Sequence, residues 1–164
     1  MNMSGMSFSA LPPIDIPFRF FVTAIAFMMA LAVFVFWSGE SLWLSRWHPS
    51  MLALTHGFTL GFITPVMMGA LLQMLPVVAG VGLNNGQSIG RFCYPVHFIG
   101  TGLLMWGFVA TEPIQYSIKI LAMTCLGLSF SYYICSVIRV LFQYFSQQFR
   151  KNIVCQNPTI VIIG

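Results

Sequence analysis

The sequence predicts an all-α integral membrane bundle of about four antiparallel transmembrane helices. Three observations predict it. Only 6% of the residues are charged and 58% are hydrophobic, whereas a soluble domain carries roughly a quarter charged residues. Mean hydropathy is +0.87. The apolar residues also gather into runs of spanning length separated by turn-forming residues. Seven Lys/Arg and three Asp/Glu cannot coat a globule of 164 residues, so lipid covers it instead.

Residues 1–16, rich in Met, Ser and Pro, read as a flexible lead. They contain no basic stretch, so the first apolar run reads as an uncleaved helix rather than a signal peptide. Phe20 to Trp37 is free of charge and long enough to span. Ser38 to Ser50 is a polar connection, and Trp37 just before it with Trp43 and Trp47 within it suit a membrane–water interface. From Trp47 to Gly90 there is no Lys, Arg, Asp or Glu. Pro49 suits the first turn of a second helix, and Pro76, Gly80, Gly82, Asn84, Asn85 and Gly86 suit its exit. That helix is expected over Pro49 to Val78. A third follows from Phe92 to Ala110, closed by Thr111-Glu112-Pro113, and a fourth from Ile114 to Phe145. Lys119 and Arg139 are placed to snorkel towards opposite ends of the fourth.

Residues 17–145 thus form the transmembrane domain, and residues 146–164 a cytoplasmic tail. The tail ends in Asn157-Pro158 and the apolar run Thr159 to Gly164, which reads as the first turns of a fifth helix cut short. With both termini cytoplasmic, the inner side holds Arg19, Arg91, Arg139, Arg150 and Lys151, and the outer side Arg46 and Lys119. The positive-inside rule favours that orientation. Basic residues spread along the chain in this way exclude a nucleic-acid surface, despite the isoelectric point of 9.1. Cys93, Cys125, Cys135 and Cys155 form no CxxC pair and read as small packing residues.

The second helix carries the informative pattern. Gly57, Gly61, Pro65 and Gly69 recur every four residues, a ridge without bulk that admits another helix backbone or makes room for a flat cofactor. His56 lies beside it, about two turns in. An ionisable residue inside a span is a candidate functional residue, and neutral imidazole is the usual axial ligand of haem iron. A hydrogen bond to a neighbouring helix is the structural alternative. Gln73 is expected to bond across helices or to carbonyls freed by Pro76.

On the third helix, His97 falls in the inner half, roughly 10 Å from His56 along the membrane normal. Two axial nitrogens stand only about 4 Å apart across an iron, so the two histidines do not share one. Cys125, Ser129, Tyr132, Tyr133 and Ser136 share one side of the fourth helix, where hydroxyls usually bond to a facing helix. No Ser/His/Asp set, phosphate loop or carboxylate pair is present. Asp15, Glu40 and Glu112 all lie outside the expected spans, so an intramembrane acid relay is missing.

The segment Leu54-Thr55-His56-Gly57-Phe58-Thr59-Leu60-Gly61, continued by Met68-Gly69-Ala70-Leu71-Leu72-Gln73-Met74-Leu75-Pro76-Val77-Val78-Ala79-Gly80, resembles helix two of the haem-copper oxidase subunit I superfamily. The nitric-oxide-reductase-like and uncharacterised oxidase-like branches are the most similar. The resemblance implies that His56 is an axial ligand of a low-spin haem towards the outer face of a bacterial inner membrane. It implies haem as cofactor, and further helices or subunits of an oxidase-like complex as partners besides the lipid bilayer. The same helix also resembles NnrS-type membrane proteins, linked to nitric oxide metabolism. The match covers about Leu52 to Gly80; elsewhere only the helix order agrees. Family members are much longer, and their second haem ligand, copper ligands and high-spin haem ligand come from later helices. The resemblance therefore implies an N-terminal part that is not active on its own. The opposing reading is a non-catalytic membrane subunit or scaffold.

Overall fold

Four apolar helices alternate in direction, each built around one of the lipid-length runs in the sequence. The structure, a computed structural model, describes residues 15–79 and 88–156. The lead, the Gly80 to Gly86 exit and the terminal apolar run lie outside the described residues. No strand occurs among those described.

Helix α1 runs Asp15–Ser38, starting five residues before the charge-free run. Asp15 provides the reason: an acid in the first turn suits the helix dipole, and it pairs with Arg19 at 3.5 Å. Gly39 ends α1 in the left-handed region at φ 51°, a conformation that costs glycine nothing. A short 3₁₀ turn, Gly39–Trp43, follows. Helix α2 consists of three segments in line, Pro49–His56, Gly57–Ile63 and Thr64–Ala79. Pro49 occupies its first turn, and the His48 side chain caps it by accepting from the Ser50 N–H at 3.3 Å. Helix α3 comprises Ile89–Cys93 and Tyr94–Val109. Helix α4 runs Ile114–Gln156, eleven residues beyond the expected Phe145. Its 43 residues make about 64 Å of helix, against a hydrocarbon core of about 30 Å.

All four helices are long and apolar enough to cross a membrane. The connections 39–48 and 110–113 fall at one end of the bundle, and all four tryptophans, Trp37, Trp43, Trp47 and Trp106, stand exposed there. We call it the tryptophan end. The chain is a helical bundle of a lipid bilayer, with the bulk of its large apolar side chains turned outward.

The middle segment of α2 and the first segment of α3 are wide, π-type turns. The Thr64 N–H bonds the Thr59 carbonyl and the Tyr94 N–H bonds the Ile89 carbonyl, each five residues back. Each turn ends two residues before a proline, Pro65 and Pro95. A proline inside a helix lacks the N–H and its ring clashes with the carbonyl four residues back; opening the turn relieves the clash without ending the helix.

The wide turn also explains the ridge. In a regular α-helix a four-residue step overshoots one turn by about 40°, which would set Gly57 and Gly69 about 120° apart. A turn of roughly 4.4 residues, held over Gly57–Ile63, removes about that much. Gly57, Gly61, Pro65 and Gly69 are accordingly all buried. They face α1 along most of their length. A Cβ on Gly61 would collide with the Phe27 ring, and one on Gly69 would stand 3.2 Å from the Phe20 Cβ. At Gly57 it would meet Met105 of α3 at 2.6 Å and Leu31 at 2.8 Å. The ridge is thus a packing surface, filled by Phe20, Phe27, Leu31 and Met105.

Candidate functional site

His56 closes the first segment of α2. Its Nδ1 lies 2.8 Å from the carbonyl of Leu52, one turn back. A carbonyl only accepts, so in the neutral ring Nδ1 carries the proton and Nε2 is left as a bare lone pair. The ring is half-buried. It leans on Phe108 of α3, with ring centres 4.9 Å apart and planes at 36°. The Lys119 ammonium of α4 stands 5.0 Å from the centre of the same Phe108 ring. With its amide oriented to suit its neighbours, Gln115 donates to Glu112 and accepts from Lys119 at 2.9 Å. The tryptophan end therefore gathers an unprotonated imidazole nitrogen and an ammonium around one aromatic ring.

His97 lies deeper and is fully buried, at 0% exposure. Its Nε2 reaches across to the Leu60 carbonyl of α2 at 2.8 Å, which makes Nε2 the protonated nitrogen of the neutral ring. Phe98 and Phe130 enclose it edge-on, and Nδ1 has no hydrogen-bond partner among the described residues. The two histidines each have one nitrogen committed to a different backbone carbonyl, so the structure brings them to the same helix pair without bringing them to one ligand.

Below His97 the helices are tied by polar groups. Ser129 donates to the Cys93 carbonyl at 3.1 Å, and the Cys93 sulfur lies 3.1 Å from the same hydroxyl. Tyr133 donates to the Met68 carbonyl at 2.9 Å. Thr23 and Tyr94 share a hydrogen bond of 2.6 Å. The Ser129 and Tyr133 bonds are the cross-helix hydroxyl bonds expected of α4, and the first makes Cys93 a buried packing residue. Ser136 instead bonds the Tyr132 carbonyl of its own helix. Cys125 is half-buried and Cys135 exposed. Gln73 departs from expectation: it is exposed, and its amide joins no hydrogen bond with a described residue. Its place on α2 turns it away from the neighbouring helices.

An open apolar groove of about 360 Å³ lies between α1 and α2, walled by Met28, Leu31, Val35, Leu54 and Phe58 among others. It carries no titratable group, and His56 is not on its wall. Among the described residues no three His, Cys, Asp or Glu side chains are grouped to hold a metal ion. His56 offers one nitrogen lone pair, on Nε2, at the tryptophan end.

The wide turns and the His97–Leu60 bond are the features that the spacing of residues did not reveal. Their signal was present: prolines at 65 and 95 inside apolar runs, and a strict period of four where an α-helix repeats at 3.6. No family model, curated protein or solved structure matches the chain.

Proposed function

We propose that this chain is the N-terminal part of a haem-copper oxidase subunit I-like protein of a bacterial inner membrane, in which His56 is one axial ligand of a haem used for electron transfer. In this reading both termini are cytoplasmic and the tryptophan end faces outward. Further helices or subunits complete the site, and the chain alone is not an active oxidase. The observation that carries the proposal is the His56–Leu52 hydrogen bond. It fixes the tautomer, fixes the ring plane and leaves Nε2 as the donor, which is how metal-binding histidines are held by a backbone carbonyl.

Haem bound there supplies one-electron chemistry through its iron. The chain's own groups bind and orient. Nε2 of His56 would offer its lone pair to the iron and Lys119 a positive charge to an anionic cofactor, while Phe108 covers one face of the imidazole. A scaffold reading has its own observation: the contact with Phe108 and the bond to Leu52 also suit a histidine that only packs.

The test is the reduced-minus-oxidised spectrum of the wild type, His56→Ala and His97→Ala, expressed at equal levels with haem supplied and beside the later helices. Loss of the haem signal in His56→Ala with retention in a folded His97→Ala is expected. A signal that survives His56→Ala, or a haem-free wild type in that setting, leaves the scaffold reading standing.

A further inference from the structure

The Leu60 carbonyl has lost its own helix's donors for a definite reason. In an α-helix it would bond the Thr64 N–H, but that N–H has moved to the Thr59 carbonyl. In the wide turn its donor would be the N–H five residues on, and that residue is Pro65, which has none. A carbonyl in the hydrocarbon region with no donor is costly. The donor that reaches it is His97 Nε2, from the neighbouring helix, at 2.8 Å and fully buried.

We propose that Pro65 and His97 form a matched pair that sets the register of α2 against α3. Proline withholds the N–H that would close the wide turn, and the imidazole supplies it from outside. The turn stays open, the two helices are held at one level, and the glycine ridge keeps facing α1. His97 is thus a positioning residue for the segment that carries His56, and this holds whether or not His56 binds haem. The pairing also makes Nδ1 an acceptor only, and no donor among the described residues reaches it.

The arrangement has a specific genetic signature. In Pro65→Ala the new N–H stands five residues beyond Leu60, where the wide turn already aims it, so the carbonyl gains a backbone donor and no longer needs His97. Thermal unfolding of detergent-solubilised wild type, His97→Leu, Pro65→Ala and the double variant tests this. His97→Leu is expected to lose midpoint temperature, and the double variant to recover part of that loss. His97→Gln, whose amide keeps an N–H donor, is expected to recover part of it as well. As the control, Pro65→Ala is expected to give no recovery with Ser129→Ala, which breaks a different bond. Losses that simply add in the double variant overturn the proposal.

A second measurement needs no variant. Nitrogen-15 spectra of the histidine-labelled wild type are expected to show, for His97, a protonated Nε2 and an unprotonated Nδ1. A His97 protonated at Nδ1 alone overturns the pairing even where His97→Leu fails to fold.

Discussion

At the tryptophan end, His56 bonds within its own helix, keeps Nε2 free and is half-buried. One turn further along α2, at the level of Leu60, His97 bonds between helices, spends its proton on a carbonyl and is fully buried. The same side chain serves two ends because the backbone differs. Beside His56 the helix is α-helical, so the backbone N–H of His56 itself, four residues on, stands in register for the Leu52 carbonyl and the imidazole is an extra. Beside His97 the helix is opened by Pro65, so the imidazole is a replacement. A histidine that replaces a missing donor is structural, whereas one that duplicates a donor is free for a ligand. Removing the first is therefore expected to cost stability, and removing the second, on the proposed function, to cost haem binding and leave the fold intact.

The largest way to break this contrast is to remove the packing on which both neighbourhoods depend. Gly61→Leu places a branched side chain on the Phe27 ring, and overpacking of this kind costs about 1–3 kcal/mol or more. Loss of the folded bundle is expected in detergent unfolding, whereas Leu60→Ile, which leaves the ridge bare, should change the midpoint little. Equal stability of the two variants would mean that the ridge does not carry α1.

A sharper comparison uses one hydrogen bond from each region. Tyr133→Phe removes only the hydroxyl bonded to Met68, and intramembrane bonds of this kind are worth about 0.6 kcal/mol on average and up to about 1.7. His56→Phe keeps an aromatic ring against Phe108 and is expected to fall within about 0.5 kcal/mol of wild type. Chemical unfolding of both in one detergent measures the difference. A His56→Phe variant less stable than Tyr133→Phe would make His56 a structural histidine like His97. The smallest effect is expected at Gln73→Leu, which alters an exposed side chain and should lie within about 0.5 kcal/mol of wild type in the same assay.

How much could be read in advance differs by element. The four spans followed from charge-free runs, because burying a charge in hydrocarbon is expensive enough to overrule weaker preferences. The connections followed from Pro49, Gly39 and the Thr111-Glu112-Pro113 turn, which act within a few residues of themselves. The overrun of α4 to Gln156 was less legible, because nothing between Phe145 and Gln156 breaks a helix. His56 was legible as a candidate because an ionisable group in a span is rare. Which of its nitrogens is free was not, since that depends on the Leu52 carbonyl and the ring rotamer.

The sequence by itself determined a four-helix membrane bundle, the placing of its charges at the ends and the presence of a bare ridge on α2. Those follow from transfer energies and from local backbone chemistry, which depend on residues near one another in the chain. Only the tertiary structure decided that the ridge packs on Phe20 and Phe27 of α1, that Tyr133 meets Met68, and that His97 answers Leu60. Each of these joins residues at least 34 positions apart, and spacing along one helix carries no record of the level at which another helix passes. Pro65 shows where the two meet: the proline announces that a carbonyl will lack its donor, and the fold selects the side chain that provides one.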